Sequence, residues 1–328
     1  MPSFDLLTIG AATQDVFLKS AHFEEIKDTY APDGMDACFP LGSKIRVDDV
    51  TFATGGGATN AAITFARFKL KTACLARIGR DEAGQSILTQ LQKEKIWTHA
   101  FQIDEKQKTA YSVILLSGTG HRSILTYRGA SGAIQAVKIP WKTLRTKWLY
   151  ITSLNGDLEL LRRLFVFAEK TNARIAWNPG NAELTHGMKK LEPFLVRTSI
   201  LLLNREEAAV LAELPPRHLE QILGHLGIYP QSALVVTDGQ KGAYVRSEGK
   251  TLFAPALKAK RVNTTGAGDA FGSAFVASFI KSKDAKLALQ AGTLNATSVI
   301  CHMGAKAGIL KKAPSAWELR KVKTVVIS

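Results

Sequence analysis

The chain has 328 residues, 46% hydrophobic and 22% charged, a balance that suits a folded globular protein and gives no basis for extensive disorder. Its 43 lysines and arginines against 28 acidic residues give a net charge of +15, but the cations are dispersed through groups such as KSKDAK and ILKK that read as solvated helix faces. No helix-turn-helix, RNA-binding or zinc-finger pattern accompanies them, so nucleic acid is not an expected partner, and a basic surface suits anionic small molecules such as nucleotides.

The amino terminus lacks the basic start and apolar run of a secretory signal, and no segment reaches the roughly 18 apolar residues of a membrane span, so no membrane partner and a cytoplasmic location are expected. Cys38, Cys74 and Cys301 have neither CxxC spacing nor a histidine at ligand spacing, and read as reduced core thiols. His121 and His302 are lone histidines and read as surface or packing residues.

In chain order, FDLLTIG (4–10) reads as a short buried strand, and similar runs recur as KTACLARIG (71–79), KWLYITS (147–153), ARIAWN (173–178), SILLLN (199–204) and SALVVTDG (232–239). Between most of them, NAAITFARF (60–68), DEAGQSILTQLQKE (81–94), DLELLRRLFVFAEK (157–170) and REEAAVLAEL (205–214) space apolar residues by three and four, the helical period. This β/α alternation predicts an α/β fold with a mainly parallel central sheet, helices on both faces, and ligands bound beyond the carboxyl ends of the strands.

Two segments break the alternation. Residues 15–52 and 109–129 are rich in β pattern, the second a hairpin turning at SGTG (117–120), and they are expected to form one small accessory sheet over the strand ends. The predicted organisation is therefore a core of residues 1–14, 53–108 and 130–328 with an inserted β lid of 15–52 and 109–129.

The stretch RVNTTGAGDAFGSAFVASFI (261–280) sets two glycines and a lone aspartate before an apolar helix. Gly266 and Gly268 let backbone approach a ligand closely, and the helix directs N–H groups and a positive dipole end at it. Asp269, in the first turn, could take a proton from a hydroxyl held beside that anion hole, an arrangement for in-line phosphoryl transfer. The competing reading is that Asp269 merely interacts with the helix end. No Gly-x-x-x-x-Gly-Lys-Ser/Thr occurs, and GGGATN places Asn60 where a dinucleotide fingerprint needs its third glycine, which argues against a P-loop kinase and a dinucleotide oxidoreductase.

NTTGAGDAFGSAF resembles the carboxy-terminal signature of the ribokinase-like (PfkB) carbohydrate and nucleoside kinases. GGGATNAA (55–62), LNREEAAVL (203–211), VVTDGQKGAYV (235–245) and IGAATQDVF (9–17) then resemble further motifs in family order, so that the likeness runs from residue 9 to about 305. The resemblance implies a ribokinase-like fold and ATP-dependent transfer of a γ-phosphoryl group. Asp269 would be the base, with the backbone of Gly266, Ala267 and Gly268 neutralising the phosphoryl group. Asp15, Gly55, Gly56, Gly57 and Asn60 would bind the acceptor, and Arg128 could reach it. Asn204 and Glu207 would organise Mg2+ through its waters, and Thr237, Gly239, Gly242, Thr265, Gly268 and Asn295 would lie around the nucleotide.

Departures accompany the matches. Asn263 stands where the family usually has the aspartate of a monovalent-cation site, which leaves potassium activation open, and Phe68-Lys69 replaces Leu-Gly, which implies loss of a left-handed helix cap. WNPG (177–180) matches the family's Asp-x-Asn-x-Arg only in part, with Ala176 and Gly180 at the charged ends.

A small sugar is the expected acceptor and a nucleoside the alternative, in which case aromatic residues such as Phe17, Phe39 or Tyr127 should stack on its base. A non-catalytic sugar or nucleotide sensor on this scaffold is a further reading, against which the retention of Asp269 counts. A homodimer paired through the lid is the expected assembly.

Overall fold

The structure is a computed structural model that describes residues 3–30, 34–118 and 121–327. It begins with β1 (Ser3–Ile9) and leaves the core along β2 (Thr13–Ser20); β3 (Glu24–Lys27) and β4 (Met35–Cys38) follow before β5 (Asp49–Gly55) returns. The first core crossover is α1 (Gly57–Arg67) with β6 (Thr72–Leu75), continued by β7 (Arg77–Gly79), α2 (Glu82–Lys93) and β8 (Gln102–Asp104). A hairpin of β9 (Ala110–Ser117) and β10 (Arg122–Tyr127) precedes β11 (Arg145–Ile151), α3 (Leu158–Thr171), β12 (Arg174–Trp177), α4 (Asn181–Leu184) and α5 (Met188–Leu195). The chain continues through β13 (Ile200–Asn204), α6 (Arg205–Ala212), α7 (Leu219–Leu226), β14 (Ala233–Thr237), β15 (Gly242–Ser247) and β16 (Lys250–Pro255). It ends with α8 (Ala267–Ser282), α9 (Ala285–Ile300), α10 (Ala316–Arg320) and β17 (Val325–Val326).

Nine strands form the main sheet in the order β17-β16-β15-β14-β13-β12-β11-β1-β6. From β14 to β6 all neighbours are parallel, and the β15 to β17 edge is antiparallel. The central strands are apolar on both faces because both are covered, the pattern expected of buried parallel strands. Successive β11 residues point to opposite sides. Leu149 and Ile151 join the α3, α5, α6 and α7 side of the core, whereas Trp148 and Tyr150 join Phe65 and Phe275 under α1 and α8.

A second sheet has the order β10-β9-β2-β5. It draws its strands from both segments that broke the alternation, while β3 and β4 pair separately as a ribbon. The strands of the first segment run slightly outside its expected limits: β2 starts at Thr13 and β5 runs on to Gly55, so the sheet continues directly into the core. Part of the expected hairpin turn, residues 119–120, lies outside the described residues.

Two local expectations are corrected. KTACLARIG is two strands rather than one, broken at Ala76, with β7 pairing β8 instead of extending the main sheet. The left-handed turn after α1 is also kept without glycine: Lys69 itself adopts φ 62, and Leu70 N–H donates to Phe65 O at 3.0 Å. Among the described residues, the cysteines are unpaired and no helix is long and apolar enough to cross a membrane.

Candidate active site

Strand register brings separated motifs together. Asn204 and Thr237 end adjacent parallel strands as direct partners, and both line a cleft of about 250 Å³ at the carboxyl ends of β13 and β14. The opposite wall is the amino-terminal turn of α8, with Gly266, Gly268 and Asp269. A half-buried ion pair between Arg205 and Asp238, at 2.5 Å, ties the start of α6 to the turn after β14 that carries Gly239 and Gly242. Sequence reading passed over this clamp, whose partners lie 33 residues apart.

Asn204 caps α6. Its Oδ1 accepts from Glu207 N–H at 2.7 Å, and Glu207 Oε2 accepts from Asn204 N–H at 2.8 Å. This reciprocal box satisfies two end-of-helix donors. It leaves the second Glu207 carboxylate oxygen uncommitted on the cleft wall, so capping and a role toward the cleft are compatible. Burial raises the Glu207 pKa, opposed by the bond from Asn204 and reinforced by Glu206 and Asp269.

The α8 turn is built differently. Gly266 has φ 79, and a Cβ there would lie 2.3 Å from Ala305 Cβ, so only glycine fits both the left-handed backbone and the contact. Asn263 is buried, and its Oδ1 accepts from Thr265 N–H at 2.7 Å, fixing the approach to the helix. Thr265 Oγ1 is buried without a hydrogen-bond partner, a polar atom left for a ligand to satisfy.

Asp269 opens on the cleft with part of its surface while protein surrounds its carboxyl. Its Oδ2 accepts from Asn60 Nδ2 at 2.8 Å, and α8 has no side-chain cap. Burial raises its pKa; the Asn60 bond and Lys306 oppose the rise, and Asp15 adds to it. Asn60 is 3% exposed and its Oδ1 is a buried acceptor without a hydrogen-bond partner.

Asp15 is buried on β2, where Thr13 Oγ1 donates to it at 3.0 Å, and its pKa is raised by burial. Gly55 has a specific reason to be glycine: a Cβ would sit 2.0 Å from Asp15 Oδ2. The expected close approach of an acceptor to this turn is thus, at Gly55, the approach of the protein's own carboxylate. Gly56 caps α1 and Gly57 begins it.

Other expected residues stand apart. Asn295 is fully buried, its Nδ2 donating to Ala270 O and its Oδ1 accepting from Leu310 N–H, so it braces α9 against α8 and the following loop rather than offering these groups to a nucleotide. Arg128 is exposed where the lid rejoins the core and does not line the cleft. Phe17 is buried, Phe39 packs edge-on against Phe23, and Tyr127 is exposed.

Two further charged residues were missed. Glu183 is buried and accepts from Ser153 Oγ and the N–H groups of Leu154, Gly156 and Gly180, organising the loops after β11 and β12. Lys306 is 4% exposed, and its Nζ donates to Thr54 Oγ1 at 2.8 Å. Burial pulls its pKa down to about 7 against the opposing pull of Asp15, Cys74 and Asp269. The available signal for Lys306 was its setting, GAKAG, small residues on both sides where the solvated cations have polar or apolar helix faces.

Comparison with known proteins agrees with this fold. The family model for pfkB family carbohydrate kinases matches residues 28–312. A ribokinase of Schizosaccharomyces pombe is 28% identical over 299 residues, covering 87% of this chain and 93% of that protein. Among solved structures, the nucleoside kinase of Methanocaldococcus jannaschii superposes with a TM-score of 0.76 at 19% identity, covering 97% of this chain and 99% of that one. Arabidopsis thaliana ribokinase complexed with ribose and ATP gives 0.76 at 18% identity, each chain covered to 98%. These likenesses show the ribokinase fold. With the family matched over most of its length, the chain belongs to the pfkB family of carbohydrate kinases and is a phosphotransferase that uses an alcohol group as acceptor.

Proposed function

We propose that the protein transfers the γ-phosphoryl group of ATP to a hydroxyl of a small sugar. The observation that carries this reading is Asp269: a carboxyl in the first turn of α8 that the helix does not use as a cap, held by Asn60 between the cleft and the Asp15 side of the site. ATP lies along the cleft, its phosphates toward Gly266, Ala267 and Gly268, where amides and the helix dipole favour negative charge. Thr265 Oγ1 gains a partner there. The acceptor lies against Asp15 and the free Oδ1 of Asn60, and Asp269 takes the proton of its reacting hydroxyl as the phosphoryl group arrives. When bound, Mg2+ neutralises phosphate charge. Among the described residues no cluster of three metal-ligating side chains exists, so Glu207 and Asn204 fit a magnesium held through its waters and the nucleotide.

Sugar is preferred to nucleoside in that Phe17, one of the three aromatic candidates for stacking on a base, is buried in packing, whereas Phe39 and Tyr127 remain exposed. Ribokinase being the name of the Schizosaccharomyces pombe relative supports the same choice. The lid sheet covers the acceptor on closure and excludes water. Its exposed Val50, Phe52, Ile124 and Leu125 provide the apolar surface for pairing two lids in a homodimer, which sedimentation at micromolar concentration tests.

A thermal-shift and ADP-release screen of sugars, sugar acids and nucleosides, with ATP and Mg2+, tests the acceptor. The expected result is a raised melting point and ADP release with a pentose or hexose; response to nucleosides alone overturns the sugar assignment.

A further inference from the structure

We propose that Lys306 is a positioning residue for phosphoryl transfer: its buried amino group, when protonated, is the counter-charge that keeps Asp269 ionised in the dehydrated site. This rests on the reading of Asp269 as the base. The backbone that carries Lys306 is part of the site's own scaffold, since Ala305 packs against Gly266 at the mouth of α8. From there the side chain passes inward to Thr54 at the end of the lid strand β5. Thr54 in turn donates its hydroxyl hydrogen to Gln90 Oε1, so its lone pair is directed to the ammonium and the ammonium's place is set from α2 and β5 together.

An ammonium has three donors, and Thr54 takes one. The ionisable groups facing it come from every element around it: Asp15 from β2, Asp269 from α8 and the Cys74 thiol from β6. Burial pushes that thiol up to about 12, so it stays neutral and the counter-charges are the two carboxylates. Among the described residues Lys306 makes no direct ion pair with either. It acts on them by charge at longer range than an ion pair, unlike a strut that would lock one carboxylate.

Without Lys306 the two buried carboxylates would repel each other, and each would hold its proton more tightly. A protonated Asp269 cannot accept the hydroxyl's proton. With the lysine present, the three groups carry a net charge of −1 when all are ionised, and the lid's exclusion of water strengthens the coupling among them. A packing role alone is a poor account of a nearly inaccessible cation, because an apolar side chain of similar length would fill the space without the cost of burying charge.

The test is a carboxyl carbon-13 NMR titration of aspartate-labelled protein, with the Asp269 signal assigned by its loss in Asp269→Asn. In Lys306→Met the Asp269 midpoint should rise by about one pH unit or more, while Lys306→Arg should hold it near the wild-type value. Lys306→Gln, which can still bond Thr54, repeats the measurement should the Met variant fold poorly, and circular dichroism checks both. With an acceptor from the screen, the acid limb of kcat should move upward by the same amount in the uncharged variants. At the foot of that limb turnover should fall about tenfold for each pH step by which the midpoint has risen, and recover on the plateau. An unchanged Asp269 midpoint in a folded Lys306→Met protein overturns the proposal. A raised midpoint in a chain that phosphorylates no sugar supports the coupling while removing the sugar assignment, so the two readings fail separately.

Discussion

Helices α6 and α8 both carry a carboxylate at their third position, Glu207 in one and Asp269 in the other, and the two are used differently. In α6 the residue before the helix is Asn204, and the glutamate folds back to accept its N–H, closing a box that stabilises the helix end. In α8 that residue is Gly266, no side-chain cap exists, and the aspartate accepts instead from Asn60 on α1. The same sequence position therefore serves local structure in one helix and faces across the site in the other. What distinguishes them is the residue before the helix and the neighbour supplied by the fold: a side chain that caps in α6, and in α8 a glycine that leaves the carboxylate to a partner 209 residues away in sequence.

The sharpest break in this comparison is Asp269→Asn. An amide can still accept from Asn60 and removes a buried charge, so folding and ATP binding should survive, with thermal stability at neutral pH unchanged or raised. Turnover should fall on the order of 10²- to 10⁴-fold, the usual loss of a general base. A folded variant keeping more than about a tenth of wild-type turnover would return Asp269 to a structural role.

Gly266→Ala tests the other half of the contrast, the requirement for glycine before α8. The new methyl would meet Ala305 and hold an unfavourable backbone region, so chemical denaturation should show a loss of about 2 kcal/mol or more. A loss below about 0.5 kcal/mol would mean that the turn adjusts freely and is not a preformed anion hole.

Glu207→Gln should act more mildly. Glutamine can still accept from Asn204 N–H, so stability should change by less than about 1 kcal/mol. Turnover should fall about 10-fold with a higher half-saturating Mg2+, because the charge proposed to order the metal's waters is gone. Unchanged magnesium dependence would confine Glu207 to capping.

Much of this contrast could be read from residues, and the remainder shows what sequence does not carry. The runs ILLLN and ALVVT are apolar throughout, so their burial between two helical layers was legible, and the glycines before α8 marked its turn. Register was not legible. Nothing local says that Asn204 sits beside Thr237, or that Gly55 is glycine because Asp15 occupies the space of its Cβ. Lys69 shows the limit of a rule about residue types, since the tertiary structure imposes a left-handed backbone on a lysine where glycine was expected. Lys306 was hidden by composition: among 43 cations, one buried ammonium has no mark in charge pattern. Asn295 shows the converse, a polar side chain on a helix near the site whose amide is engaged in holding α9 to α8 and the following loop.

A third helix provides the control with the smallest expected effect. In α10, Ser315 precedes the helix and Glu318 closes the same kind of box as Glu207, but on an exposed surface. Hydrogen bonds from the Ser315 backbone and hydroxyl lower the Glu318 pKa, whereas burial raises those of Glu207 and Asp269. The signs of their pH effects are therefore opposite. A lowered carboxylate contributes stability that is present above its ordinary value and lost as pH falls through the folded value; a raised one contributes stability below its ordinary value that is lost as pH rises through the folded value. Glu318→Gln should leave turnover and magnesium dependence unchanged and cause a slight loss of stability near neutral pH that fades in acid. Asp269→Asn should instead remove a fall in stability with rising pH. Urea denaturation of both variants between about pH 3 and pH 7 reads the two slopes. If they had the same sign, the distinction between an exposed carboxylate held by its cap and a carboxylate buried at the site would not stand.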